Sequence, residues 1–175
     1  MRKYLITSPE SYPTLKKQLQ THMPEYVLYR DKEHPNYNKE AKNFMLTCGK
    51  FKNIKTFLHQ NVVLAKKVGA NGVHLTSQQF NEISHAKSLN LEVIISTHSY
   101  KEVLQAQSMG ADAVTYSPIF HTPNKGEPKG IKDLENLLEK CSIKIFALGG
   151  IVTPSHVQRL ETTSVYGFAS IRYFV

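Results

Sequence analysis

Two hydrophobic periods take turns along this chain. Short runs rich in β-branched and aromatic residues fall at Lys3–Thr7 (KYLIT), Tyr26–Arg30 (YVLYR), Ile54–His59 (IKTFLH), Gly72–Leu75 (GVHL), Glu92–Ser96 (EVIIS), Ala113–Ser117 (AVTYS), Lys144–Leu148 (KIFAL) and Val165–Ser170 (VYGFAS). Their length and composition predict eight buried strands. Between them lie amphipathic segments that predict helices, at Tyr12–His22, Asn36–Lys50, Asn61–Val68, Ser77–Ser88, Lys101–Met109, Ile131–Lys140 and Ser155–Leu160. Pro13 suits the start of the first, and Ser77 is a candidate N-cap for the fourth. Two helices end on matching phrases, VGANGV at Val68–Val73 and MGADAV at Met109–Val114, where a glycine offers the left-handed stop before the next strand.

Strict β/α alternation implies a parallel sheet with right-handed crossovers. Eight strands leave an open doubly wound sheet or a closed barrel. No G-x-G-x-x-G follows the first strand, which counts against a dinucleotide-binding sheet. The expectation is therefore a compact (β/α)8 TIM barrel, a single domain over residues 1–175. Such barrels usually run to about 250 residues, so the loops must be lean. Val175 follows directly on the eighth strand, and the last helix is expected to be missing. That would bare apolar flank between the first and last strands, to be covered by a partner subunit in a homodimer or by the tail folding back.

A hydrophobic share of 41% supports one core. Cys48 and Cys141 lie far apart, in neither a C-x-x-C nor a metal spacing, and suggest thiols in a reducing compartment. No signal peptide or membrane-length apolar run is present, so the expected location is the cytoplasm, with no membrane partner. The net charge of +8 raises nucleic acid as a partner. The lysines are scattered without a dense basic arm, which favours solvated helix faces and suits small phosphorylated ligands instead.

In such a barrel, ligands bind at the C-terminal ends of the strands. The loop after strand six, Ser117–Gly130 (SPIFHTPNKGEPKG), is long and carries His121, Thr122 and Lys125, as a substrate grip or as a plain polar connection. The pair Gly149–Gly150 after strand seven gives close backbone approach and free N–H groups for phosphate, or simply a tight turn. Arg30 and Lys32, two positions apart, project to one side and can meet a phosphoryl group or pair with Asp31 or Glu33. His74 reads equally as a satisfied core group. His98 and His121 are the acid/base candidates, because imidazole titrates near neutral pH. No cluster with transition-metal spacing is found, so no metal or cofactor is expected.

Several phrases match one family in order along most of the chain. LYRDK resembles its Q-L-R-E-K, GANGVHL its G-A-D-G-V-H-L, and FALGGI its V-A-I-G-G-I. ISTHSYKEVLQAQSMGADAVTYSPIFHTPNK resembles its V-S-T-H-T…G-A-D-Y-V-G-F-G-P-I-F-P-T-x-T-K. The chain thus resembles the thiamine phosphate synthase and thiazole tautomerase (TenI-type) family. The resemblance implies that Arg30 and Lys32 meet a pyrimidine diphosphate with Ser96 nearby, and that Thr122 and Lys125 grip phosphates. Gly149, Gly150 and the backbone near Ser170 and Ile171 would hold a thiazole phosphate.

The departures matter as much. Where the synthase places its magnesium-binding carboxylates after strands three and four, this chain has His59-Gln60 and Thr76-Ser77-Gln78-Gln79. Magnesium would enter only if the synthase activity holds. The tautomerase histidine position is Pro118, with His121 three residues on as a substitute. Three readings follow: a TenI-like tautomerase or relative without the magnesium site, a synthase with an altered metal site, and a non-catalytic thiamine-phosphate-binding or interaction module.

Overall fold

In the computed structural model, which describes residues 1–175, eight parallel strands close into a barrel in chain order. They are β1 (Arg2–Ile6), β2 (Tyr26–Tyr29), β3 (Lys55–His59), β4 (Gly72–Leu75), β5 (Glu92–Thr97), β6 (Ala113–Tyr116), β7 (Lys144–Leu148) and β8 (Gly167–Ser170). Seven helices surround them: α1 (Leu15–His22), α2 (Tyr37–Cys48), α3 (Val62–Val68), α4 (Ile83–Ser88), α5 (Tyr100–Ser108), α6 (Gly130–Leu138) and α7 (Pro154–Glu161). None of them is long and apolar enough to cross a membrane.

Helix ends follow local chemistry. The side chains of Asn61, Ser99 and Thr153 cap α3, α5 and α7 by accepting from backbone N–H groups. Gly69 and Gly110 take φ of 75° and 83°, so both glycine stops behave as the repeated phrases predict. Ser77 is not a cap. A 3-10 turn at Phe80–Glu82 precedes α4, and the Gln79 Oε1 atom accepts from Thr76 N at 3.1 Å, so Thr76–Gln79 forms a turn instead of a helical start.

Period-two alternation divides each strand between two cores. Outward residues join a cluster of 36 buried side chains between sheet and helices. Inward residues form a second cluster of nine, built around Tyr4, Tyr26, Phe57 and Phe146. Tyr4 and Phe146 lie with ring centroids 5.1 Å apart, and Tyr26 and Phe146 at 5.0 Å. Four large rings fit because Gly72 and Gly167 leave room: a Cβ at Gly72 would sit 2.4 Å from Phe57, and one at Gly167 would sit 2.8 Å from Phe146. The barrel is therefore plugged near its N-terminal end and open only above the plug.

The flank beside β8 is not bare. The tail turns back as a 3-10 segment, Arg172–Phe174. Phe174 is buried, stacks on Phe168 with centroids 5.8 Å apart and meets His22 edge-on at 5.4 Å. The tail folding back, one of the two expected covers for this flank, is thus what the structure shows. Phe174→Ala should therefore lower the unfolding free energy by about 3–5 kcal/mol, the usual loss for a buried phenylalanine. Urea titration measures it, and an unchanged midpoint would mean the tail does not close the flank.

Candidate functional site

The mouth of the barrel is polar because β-strand alternation continues past the plug. Arg30, His59, His74, Ser96, Ser117 and Leu148 all follow the inward parity of their strands and line a cavity of about 370 Å³. Lys32, His98, Thr122, Lys125, Gly149 and Ile171 complete its wall from the loops. A second cavity of about 760 Å³ adjoins it, sharing Arg30, Thr122, Leu148, Gly149 and Ile171 and adding Gly150, Ser170 and Arg172 among others. Ten of the eleven residues expected at the site thus line one or both cavities. His121 does not; it is exposed on the loop and lines neither.

The cations around the two cavities are uncommitted, and Glu10 is the one acidic side chain in their lining. Arg30, Lys32 and Lys125 take part in none of the four ion pairs of the chain, which join Arg2–Glu25, Lys55–Glu92, His85–Glu82 and Lys87–Asp112. The alternative pairing of Arg30 or Lys32 with Asp31 or Glu33 is not formed; Asp31 instead accepts from Glu33 N at 3.4 Å. Arg30 is held by its backbone, whose N–H donates to Thr7 Oγ1 at 2.9 Å.

The glycine pair has two jobs. Gly149 and Gly150 have φ of 97° and 69°, and a Cβ on Gly150 would lie 2.5 Å from the His121 carbonyl oxygen. The loop after β6 lies directly on this bare backbone, with Ile119 N donating to Leu148 O at 2.9 Å and Phe120 N to Gly149 O at 3.0 Å. Meanwhile the N–H groups of Gly149, Gly150, Ile171 and Arg172 have no acceptor within the chain. Grouped at one cavity, four such donors make an anion cradle. Ser170 helps only indirectly, since its hydroxyl donates to Ile151 O at 2.7 Å and accepts from Tyr173 N at 3.2 Å.

Two histidines outside the expected site prove central. His59 and His74 are register partners on β3 and β4, with ring centroids 6.4 Å apart. Burial, then the positive neighbours, push the His59 pKa down to about 4. Burial, then His59 and Arg30, push His74 down to about 3. Both are neutral at physiological pH. Their shared parity with Ser96 was the sequence signal for them. His74 is also the satisfied group that its strand position suggested, bonded to Tyr4 Oη at 2.8 Å and Ser96 Oγ at 2.9 Å. His98, exposed at the rim, has Nδ1 3.2 Å from Ser117 Oγ and 3.3 Å from Ser117 O. Nδ1 is thus the nitrogen turned towards Ser117, and Nε2 has no partner within the chain.

The donor set does not fit magnesium. Gln60 and Gln79 stand where the resemblance expects carboxylates, and they are tied together: Gln79 Nε2 donates to Gln60 O at 3.2 Å, while Gln79 Oε1 serves Thr76. No group of three or more His, Cys, Asp or Glu side chains gathers anywhere as a metal set. Neutral amides supply no charge to offset stripping water from a hard cation.

Neutral buried histidines make stability depend on pH. The unfolded chain titrates its histidines near pH 6.5, whereas these two titrate at about 4 and about 3 in the fold. Below pH 6.5 the unfolded state takes up protons that the fold refuses. Stability is therefore full above pH 6.5 and falls as pH drops, by up to about 1.4 kcal/mol per pH unit for each histidine. Urea midpoints between pH 6.5 and 5, above the carboxylate range, should show this slope, and His59→Asn should reduce it by about half. A flat profile over that window would mean the two rings are not held neutral.

A family model described as thiamine monophosphate synthase (TMP-TENI) matches residues 3–174. A putative thiamine-phosphate synthase 2 of Aquifex aeolicus is 33% identical over a 185-residue alignment, covering 99% of this chain and 97% of that protein. The thiamine-phosphate synthase of Nitrosococcus oceani is 28% identical, covering 77% of this chain and 65% of that protein. Among solved structures, thiamine phosphate pyrophosphorylase from Pyrococcus furiosus superimposes with a TM-score of 0.83 at 25% identity, over 97% of this chain and 85% of that one. With the barrel, the cradle and a match over nearly its whole length, this chain belongs to the thiamine monophosphate synthase family.

Proposed function

We propose that the protein acts in the cytoplasm on a phosphorylated thiazole by metal-independent proton transfer, as a TenI-like tautomerase or relative. The observation that carries this reading is the pairing of a complete anion cradle with a rim whose two metal positions are closed by a glutamine-to-backbone hydrogen bond. The N–H groups of Gly149, Gly150, Ile171 and Arg172 bind the ligand's phosphate, with Arg30 supplying charge from the wall the two cavities share and Lys125 from the adjoining cavity. His98 is the base. Its Nδ1 faces Ser117 and Glu102 Oε2 accepts from its backbone N–H, so Nε2 is the ring nitrogen available at the cavity rim. Aromatising the ring needs one proton removed from carbon and one returned elsewhere, which a single imidazole can do in turn. His121, exposed outside both cavities, has no part in it.

A second reading is favoured by the number of free cations and by the names of the relatives, which are synthases. Arg30, Lys32 and Lys125 exceed what one phosphate requires and can stabilise a departing pyrophosphate without a metal. The two reactions should be assayed side by side, with magnesium and with chelator. Tautomerisation should proceed unchanged in chelator and fall at least about 100-fold in His98→Asn, the usual share of a general base. Chelator-resistant condensation would instead support the second reading. Robust magnesium-dependent condensation in the unmodified protein, matched or exceeded by Gln60→Asp, would overturn both.

Anion binding is separable from turnover. Lys125→Ala should weaken the binding of inorganic phosphate by about 1–3 kcal/mol, as loss of a charge-assisted hydrogen bond does. Calorimetric titration measures it, and equal affinity would remove Lys125 from the ligand's reach.

A further inference from the structure

We propose that Tyr4, in the aromatic plug, fixes the proton of His74 on Nε2 and thereby leaves the Ser96 O–H free to donate to an anionic oxygen in the cavity. The argument is one of proton counting along a buried chain. Tyr4 is fully buried, and its hydroxyl has a single partner, His74 Nδ1 at 2.8 Å. If Nδ1 carried the proton, the phenol would have to accept it and its own O–H would point into the packed rings with no acceptor. Burying an unsatisfied donor is costly, so the phenol donates and Nδ1 accepts. Burial keeps the ring uncharged, its pKa pushed down to about 3, so only one nitrogen holds a proton. That nitrogen is Nε2, which then donates to Ser96 Oγ at 2.9 Å.

Ser96 Oγ has no other partner in the chain and lines the cavity. With one of its two lone pairs taken by His74, its O–H is unclaimed within the chain and can turn towards a ligand. A neutral donor at this place, in one cavity with the free charges of Arg30 and Lys32, suits a phosphate, diphosphate or carboxylate oxygen. Tyr4 and His74 touch no ligand and are positioning residues. The inference rests on the anion site of the proposed function for its ligand, but its proton arrangement stands on the plug alone.

Nitrogen-15 spectra of the histidine rings in the unmodified protein decide the arrangement without any variant. His74 should show the Nε2–H tautomer at neutral pH, and an Nδ1–H signature would overturn the inference even if anions bind. Pyrophosphate titration then tests the consequence. Ser96→Ala should weaken binding about tenfold, and Tyr4→Phe, which keeps the ring in the plug, should weaken it severalfold. The double variant should bind no worse than Ser96→Ala, because Tyr4 acts only through Ser96. Additive losses, or no loss in a folded Tyr4→Phe, would overturn the relay. Absence of pyrophosphate binding in the unmodified protein, with the Nε2–H tautomer present, would instead overturn the anion-site reading while upholding the proton arrangement.

Discussion

Closing eight parallel strands into a ring obliges the chain to fill the ring's interior, and here that obligation sets everything above it. The interior cannot hold water over buried strand backbone without losing the packing that keeps the barrel round. Tyr4, Tyr26, Phe57 and Phe146 fill it, and aromatic contacts of this kind are worth about 0.5–1.5 kcal/mol each beyond burial. Two of the facing positions must be glycine for the rings to fit. The plug then serves as the floor of the ligand cavity, and through the Tyr4 hydroxyl it reaches into the polar layer that a ligand would touch. Core packing and site chemistry meet in one residue.

The same economy governs the loop after β6. It is pinned over Gly149 and Gly150 by two backbone hydrogen bonds, in space that any side chain would occupy. The glycines that free N–H groups for an anion therefore also seat the segment bearing Thr122 and Lys125 against it. That segment's position is what turns His121 away: its carbonyl faces Gly150, and its ring is left in solvent.

Much of this was legible in the sequence. Strands were readable from apolar runs, and helix stops from glycines that do take left-handed conformations at Gly69 and Gly110. Strand-end position alone placed Arg30, Lys32, Ser96 and the glycine pair around the mouth. What failed did so where local pattern competes with tertiary contact. Ser77 precedes an apolar stretch as a cap should, but the Gln79 side chain bonds back to Thr76 and delays the helix to Ile83. The flank beside β8 looked bare because one phenyl ring, Phe174, does the work expected of a helix. His59 and His74 were passed over because a histidine among apolar neighbours is ambiguous until parity with Ser96 is applied across strands.

The cavity's electrostatics are divided between floor and rim. Positive charge sits on Arg30, Lys32 and Lys125, at the wet edge, whereas the histidines beneath are neutral mainly through burial and partly because Arg30, and for His59 also Lys32, lies near them. An arriving anion would neutralise the rim and so relieve part of the pressure on His59, raising its proton affinity; the same anion would need a neutral donor beneath it, which Ser96 supplies. A magnesium ion at Gln60 and Gln79 would act in the opposite sense, adding charge to a wall already unpaired. Under the metal-independent reading proposed above, the charge that meets an anion is carried by Arg30, Lys32 and Lys125 of the chain itself.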